Sequence, residues 1–120
     1  MSAGRILIVD DDRDIRVLLS TFLDKNGFVT VQASSVKEFL QLFAQEKFDL
    51  VLCDFILPEK NGFEILEKAR TIDPACKVVI VTGYSDEQVI SQMLDNGAFG
   101  YLSKPLDPKK LLKIVRAATS

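Results

Sequence analysis

The sequence predicts an α/β domain in which helices cover both faces of a parallel, doubly wound five-stranded sheet. Short apolar runs alternate with amphipathic segments of helical length, five of each along the chain. The apolar runs are continuous, which is typical of strands buried on both faces. With 120 residues, 48% of them hydrophobic, the chain can bury a sizeable core without disulfides. We therefore expect one domain spanning residues 1–120.

The first half of the chain contains three strand patterns and two helix patterns. An Asn-Gly pair at 26–27 is typical of a helix end with a left-handed residue, and Ser34 or Ser35 can cap the helix that follows. In order, the expected elements are a strand at Arg5–Val9, a helix at Arg13–Lys25, a strand at 28–31, a helix with apolar residues from Val36 to Phe43, and a strand at 49–53.

The second half continues the alternation. Ser85 can cap the fourth helix, and Asp107 followed by Pro108 is a typical start for the fifth. The expected elements are a helix at 62–71, a strand at Lys77–Thr82, a helix with apolar residues from Val89 to Leu94, a strand at 99–103, and a last helix carrying Leu111, Leu112 and Val115.

Composition excludes several function classes. The net charge of −2 without a basic stripe argues against a nucleic-acid binder. Apolar runs reach only four residues, so we expect neither a membrane span nor a secretory signal. A cytoplasmic location with Cys53 and Cys76 as reduced thiols follows. The absence of histidine from the sequence excludes a histidine-dependent catalytic triad.

Polar residues follow four of the five strand patterns. These are Asp10, Asp11 and Asp12 after the first strand, Asp54 at the third, Thr82 at the fourth, and Lys104 after the fifth. In parallel sheets the carboxyl ends of the strands meet at one edge, where ligands bind. We therefore expect several carboxylates, one hydroxyl and one ammonium in a small volume.

Such a group of residues is suited to a divalent cation and a phosphoryl group. Clustered carboxylates repel one another, and Mg²⁺ binds oxygen ligands in octahedral geometry. Lys104 would supply a positive charge for a phosphoryl group, and an aspartate can attack phosphorus. Asp54 is the candidate because it stands alone on the central strand. Asp12 and Asp14 are explained at least as well as helix N-caps.

Four segments of the sequence resemble the response-regulator receiver domain of two-component systems. They are residues 8–12 (IVDDD), 54–62 (DFILPEKNG), 81–83 (VTG) and 97–105 (GAFGYLSKP). The resemblance covers the whole chain and implies a flavodoxin-like sheet with strand order 2-1-3-4-5. It also implies transfer of a phosphoryl group from the phosphohistidine of a sensor histidine kinase to an aspartate of this domain, which acts as a phosphoacceptor and not as an enzyme.

The resemblance assigns roles to the acidic residues. Asp54 would be the phosphoacceptor. Asp11 would bind Mg²⁺ directly, and Asp10 would act mostly through a metal-bound water. Ile56 would offer its backbone carbonyl to the metal.

The same resemblance assigns a switch. Thr82 and Lys104 would contact the phosphoryl oxygens, and the peptide bond before Pro105 would be cis. Tyr101 would point outward in the inactive state and turn inward when Thr82 moves toward the phosphate. We expect phosphorylation to shift the population between two existing packings.

The fourth helix, fifth strand and fifth helix would form the output face, which would contact a partner, an attached output domain or a second copy of the chain. Similarity to nitrogen-regulator-type receivers leaves the output open. Lys109, Lys110 and Lys113 fit a solvated helix surface better than a nucleic-acid site. Exposed residues expected on this face are Gln88, Gln92, Asp95, Lys109 and Lys113.

Two positions influence the lifetime of the phosphoryl group in this family, two residues after the acceptor and two after the threonine. Here they are Ile56 and Tyr84. Neither side chain can readily position an attacking water. We therefore predict slow self-dephosphorylation.

The sequence argues against three other functions. An aspartyl-phosphate phosphohydrolase normally has a second aspartate two residues after the nucleophile, where this chain has Ile56. A flavin binder would need a phosphate-binding loop after the first strand, where this chain has three aspartates. A receiver that only docks a partner is disfavoured because all the matching polar residues are present.

Overall fold

The computed structural model describes residues 4–57, 61–83 and 87–120. Strands and helices alternate throughout, as the sequence predicts. The elements are β1 (Arg5–Val9), α1 (Arg13–Lys25), β2 (Val29–Ala33), α2 (Val36–Gln45), β3 (Leu50–Asp54), α3 (Gly62–Ile72), β4 (Lys77–Thr82), α4 (Glu87–Asp95), β5 (Gly100–Ser103) and α5 (Pro108–Thr119).

The five strands form one parallel sheet in the order β2-β1-β3-β4-β5. This confirms the expected doubly wound fold and strand order. Val9 pairs with Cys53, and Asp54 pairs with Val81, so the carboxyl ends of β1, β3 and β4 are aligned. The strand order reverses between β1 and β3, and in such sheets this reversal opens a crevice at the carboxyl ends of the two strands.

Two apolar layers fill the space between the sheet and the helices. One contains Leu7, Val51 and Ile80 together with residues of α2, α3 and α4. The other contains Ile8, Leu52 and residues of α1 and α5. Because successive strand residues point to opposite faces, nearly every residue of β1 and β3 is buried.

Helix starts are set by short polar side chains. Asp12, Ser35, Asn61 and Asp107 are the N-caps of α1, α2, α3 and α5, each accepting from a backbone amide of the first turn. Asp14 instead lies inside the first turn of α1, so its interpretation as a cap was wrong. The expected cap Ser85 lies outside the described residues.

Some strand bounds differ from the sequence prediction. β2 is Val29–Ala33 instead of 28–31, because Phe28 still donates its amide to Leu23 at the end of α1. The pairing of Val9 with Ala33 extends β2 at its other end. β3 begins at Leu50 instead of 49 and ends at Asp54.

The amino-terminal edge of the sheet has its own polar contacts. The Arg5 guanidinium pairs with Glu46 and lies over the Phe48 ring, 5.3 Å from its centroid. The Asp49 carboxylate accepts the Arg5 amide at 2.8 Å. These contacts lie at the end of the sheet opposite to the aspartates that follow β1. Among the helices described, none combines the length and apolar character needed to cross a bilayer.

Candidate functional site

The site lies at the carboxyl ends of the central strands. Asp10 directly follows β1, Asp54 ends β3, Thr82 ends β4, and Lys104 follows β5. The parallel sheet therefore brings these side chains to one edge, as their positions in the sequence predict.

Three carboxylates form the centre of the site. Asp10, Asp11 and Asp54 each present an oxygen within 4.8 Å of the other two. Asp10 is buried, Asp54 is half-buried and Asp11 is exposed. The group is thus open on one side, and its donor set of oxygens suits a hard cation such as Mg²⁺.

Asp10 is the most constrained of the three. Its Oδ1 accepts the Asp12 amide at 2.9 Å, and its own amide donates to the Ala33 carbonyl at 3.1 Å. Burial raises the pKa of the Asp10 carboxyl from 3.8 to about 6, and the charges of Asp54 and Asp11 also raise it. The Asp12 amide and the Lys104 ammonium act in the opposite direction. The cluster therefore carries negative charge that the protein compensates only in part.

Lys104 provides a positive charge at the cluster. Its Nζ lies 3.1 Å from Asp54 Oδ2 and 3.9 Å from Asp10 Oδ2. The Lys104 amide donates to the Thr82 carbonyl at 2.9 Å, which ties this residue to the end of β4. The Lys104–Pro105 peptide bond is cis, as the resemblance implies.

Asp54 is held by donors on both oxygens. Oδ1 accepts the Ile56 amide at 3.2 Å, and Oδ2 faces Lys104. Ile56, which donates this amide, is an apolar residue that is 56% exposed. Cys53, which precedes Asp54 on β3, is fully buried. Burial raises the pKa of its thiol well above the usual value, so Cys53 stays a neutral thiol.

Thr82 and Tyr101 lie on neighbouring strands, and Thr82 is at the edge of the sheet that carries the acids. Thr82 is buried at the end of β4, and Tyr101 lies on the neighbouring strand β5 with 39% of its surface exposed. The tyrosine is thus partly exposed, and its role in a switch with Thr82 stays a prediction. Gly83 has open space where a side chain would be.

One residue of the site environment was missed by sequence reasoning. Arg16 of α1 donates from Nη1 to the Asp10 carbonyl at 2.7 Å and from Nε to Gln32 at 3.3 Å. An arginine on the polar side of a helix carries no signal for such a contact. Only its spacing of six residues from Asp10 could have suggested it.

The remaining expected site residues fall into two groups. Tyr84 lies outside the described residues, so the prediction of a long-lived phosphoryl group stays a prediction. The output-face residues expected to be exposed are exposed: Gln88, Gln92, Asp95, Lys109 and Lys113. Leu94 and Phe99 are also exposed nearby, at 45% and 39%.

Comparisons with known proteins agree with this arrangement. The family model of the response regulator receiver domain matches residues 6–116. Sporulation initiation phosphotransferase F of Bacillus subtilis is 36% identical over 116 residues, which cover 97% of this chain and 94% of that protein. The response regulator protein PilR of Pseudomonas aeruginosa is 38% identical over 118 residues, covering 98% of this chain and 26% of that protein.

The fold is shared with solved receiver structures. A CheY-like response regulator receiver domain protein from Methanospirillum hungatei has a TM-score of 0.91 and 37% identity, with 97% of this chain and 93% of that chain covered. The chain thus spans nearly all of one curated relative and about a quarter of several others. It belongs to the family of response regulator receiver domains, whose general function is to accept a phosphoryl group in two-component signal transduction.

Proposed function

We propose that Asp54 accepts a phosphoryl group from the phosphohistidine of a sensor histidine kinase, in a Mg²⁺-dependent reaction in the cytoplasm. The observation that carries the proposal is the meeting of three carboxylates within 4.8 Å, one of them paired with Lys104 at 3.1 Å. The domain would act as a phosphoacceptor that assists its own phosphorylation and dephosphorylation.

Asp54 fits the acceptor role better than the other two acids. The Asp10 side chain is only 4% exposed, and its carboxylate already accepts the Asp12 amide. Asp11 is exposed and belongs to the loop that precedes α1. Asp54 combines partial access from solvent with a neighbouring cation, and its position at the end of a central strand is rigid.

The transfer itself is a simple displacement. A carboxylate oxygen of Asp54 forms a bond to phosphorus, and the bond from phosphorus to the histidine nitrogen of the kinase breaks. The electron pair of that bond stays on the imidazole, which then takes a proton from solvent. Lys104, which lies 3.1 Å from Asp54 Oδ2, would pair with the phosphoryl oxygens once the Asp54 carboxylate has become an acyl phosphate.

The residues present fit a magnesium ion. Asp10, Asp11 and Asp54 would hold it through carboxylate oxygens, and the family resemblance adds the Ile56 carbonyl. When bound, Mg²⁺ supplies charge neutralisation for the acids and the incoming phosphoryl group. Burial raises the pKa of Asp10, and the charges of Asp54 and Asp11 raise it further, so a cation at this position would offset an unfavourable negative charge.

Phosphorylation would be read out on the face formed by α4, β5 and α5. The new anion favours the arrangement in which Thr82 and Lys104 approach it. The exposed Tyr101 ring would then turn inward and change the surface of β5. A partner, an attached output domain or a second copy would bind this face.

The test is phosphorylation with acetyl phosphate. Purified protein is incubated with acetyl phosphate and MgCl₂, and its intact mass is measured. We expect a mass increase of one phosphoryl group, dependent on Mg²⁺, and its complete loss in Asp54→Asn. The matched control is Asp12→Asn, which removes a nearby carboxylate but keeps an N-capping side chain; it should be phosphorylated like the wild type.

The proposal is overturned if the wild type acquires no phosphate or if Asp54→Asn is modified to the same extent. Turnover of small phosphate esters would instead favour a phosphohydrolase. Ile56 argues against that function because its apolar side chain stands where the general acid would be needed.

A further inference from the structure

Arg16 connects α1 and β2 to the loop that carries the acids. Its Nη1 donates to the backbone carbonyl of Asp10 at 2.7 Å, and its Nε donates to Gln32 Oε1 at 3.3 Å. Gln32 lies on β2, the neighbour of β1 in the sheet. The guanidinium therefore spans from an adjacent strand to the start of the acidic loop.

The hydrogen bond from Arg16 is one of three that hold Asp10 in place. The Asp10 amide donates to the Ala33 carbonyl, its Oδ1 accepts the Asp12 amide, and its carbonyl accepts from Arg16. Of these three bonds, only the one from Arg16 is made by a side chain of another element. Arginine is suited to this role because its planar fork of donors can satisfy two acceptors at once.

We propose that Arg16 is a positioning residue that holds the Asp10–Asp11 turn in its cation-binding shape, with Gln32 orienting its guanidinium. This rests on the proposed function, because it assumes that the acids bind Mg²⁺. Outer partners that orient metal ligands typically change metal affinity by tenfold or more when removed.

The charge of Arg16 and its hydrogen bond have opposite effects on cation binding. A guanidinium close to the acids repels an incoming Mg²⁺, so removing the charge alone would tighten binding. Removing the hydrogen bond frees the Asp10 carbonyl and loosens the turn, which would weaken binding. The direction of the change in affinity therefore distinguishes positioning from simple electrostatics.

Arg13 is the matched control for the charge. It is an exposed arginine at the first position of the same helix, close in sequence to the acids. Arg13→Gln removes one positive charge near the acidic loop and leaves the Asp10 carbonyl bonded to Arg16. We expect this variant to bind Mg²⁺ as tightly as the wild type or slightly more tightly.

The experiment is a calorimetric titration of MgCl₂ into the wild type, Arg16→Gln, Arg16→Lys and Arg13→Gln. We expect Arg16→Gln to lose about tenfold in Mg²⁺ affinity. Arg16→Lys should lie between it and the wild type, because an ammonium can reach one acceptor but lacks the fork that satisfies two. Gln32→Ala is the milder second variant and should weaken binding in the same direction.

Amide hydrogen exchange in EDTA separates positioning from a general loss of stability. In Arg16→Gln the amides of Asp11 and Asp12 should exchange faster, whereas those of β4, such as Val79, should stay protected. A purely structural role would speed exchange across the sheet and leave Mg²⁺ affinity unchanged in the folded protein.

The outcomes are distinguishable. A wild type that binds no Mg²⁺ overturns the metal site and this assignment with it. A wild type that binds Mg²⁺ while Arg16→Gln and Gln32→Ala bind it equally well overturns only the role of Arg16. Tighter binding in Arg16→Gln would show that its charge outweighs its hydrogen bond and would also overturn the assignment.

Discussion

Lys104 contacts both the proposed acceptor and a proposed metal ligand, so its removal separates cation binding from the response to phosphate. Its Nζ lies 3.1 Å from Asp54 and 3.9 Å from Asp10. In Lys104→Ala the three acids remain, and we expect Mg²⁺ to bind at least as tightly as in the wild type. The structural response to phosphorylation should be impaired, because the ammonium that we propose pairs with the phosphoryl group is gone.

Mg²⁺ titration and amide hydrogen exchange of β5 with and without acetyl phosphate measure the two effects. Lys113→Ala, on the exposed side of α5, is the control for loss of a positive charge. A normal phosphorylation-dependent change in Lys104→Ala would contradict the role of this residue.

Asp10 gives the site a pH dependence. Its carboxyl has a pKa of about 6 in the folded protein against 3.8 as the ordinary value. The folded state therefore binds this proton more tightly than the unfolded state, and stability falls as pH rises from about 4 through 6. Above pH 6 the ionised Asp10 carboxylate lowers the free energy of unfolding by about 2 to 3 kcal/mol when no cation is bound.

Asp10→Asn should remove this cost. In EDTA at pH 7.5 the variant should have a higher free energy of unfolding than the wild type by about 2 kcal/mol, and the difference should shrink toward pH 4.5. Urea unfolding across this pH range gives the measurement. Equal stability of the two proteins at pH 7.5 would mean that the buried charge is already compensated.

At the residue level, much of the site could be predicted from sequence. Asp10, Asp54, Thr82 and Lys104 lie at strand ends, and a parallel sheet leaves such residues no other edge to occupy. Arg16 could not be predicted, because its contact with the Asp10 carbonyl depends on how α1 is rotated against the sheet and on its side-chain rotamer. The apolar residues of α1 indicate which side of the helix faces the sheet, but they do not indicate the rotamer of Arg16 or the carbonyl that it contacts.

Among the elements, the α4–β5 connection depends on Gly97. Its φ of +99° is one that side-chain-bearing residues rarely adopt, and a Cβ there would overlap the Arg70 guanidinium. Gly27 has a similar φ of +92° but open space around it. We expect Gly27→Ala to cost about 1 kcal/mol from the backbone alone. Gly97→Ala should cost slightly more, because the exposed Arg70 side chain must move aside and give up its contact with the Gly97 carbonyl.

Chemical denaturation of both variants measures the difference. In an Arg70→Ala background the excess cost of Gly97→Ala should disappear, because the overlapping group is gone. If Gly97→Ala costs no more than Gly27→Ala in the wild-type background, then Arg70 moves aside freely and its 3.5 Å contact with the Gly97 carbonyl contributes little.

The types of elements could be predicted from the sequence better than their ends. Continuous apolar runs and helical stripes specify a strand or a helix wherever they occur. The ends depend on pairing partners: Ala33 joins β2 because it lies opposite Val9, and Phe28 stays with α1 because its amide bonds to Leu23. Local propensity contains neither relation.

On the scale of the whole molecule, the proposed output face has exposed apolar groups on α4 and β5. Leu94 of α4 and Tyr101 of β5 are 45% and 39% exposed. If phosphorylation turns Tyr101 inward and the altered face then pairs with a second copy, the sedimentation coefficient should increase on addition of acetyl phosphate and MgCl₂. Asp54→Asn should show no increase.

Analytical ultracentrifugation of the two proteins tests this pairing. Identical sedimentation of the wild type with and without acetyl phosphate would count against a second copy as the partner. It would leave an attached output domain or another protein as the occupant of this face, and the phosphorylation of Asp54 itself would be unaffected.

The polarity of the sheet has a practical use. Arg5, Glu46 and Phe48 lie at the amino-terminal edge, about one strand length, or about 16 Å, from the carboxylates. Lys47 is exposed at that edge, and both native cysteines are buried. A fluorophore or a sensor-chip linker attached through Lys47→Cys would therefore leave the opposite rim uncovered, so that kinase docking could be followed on immobilised molecules in a single orientation.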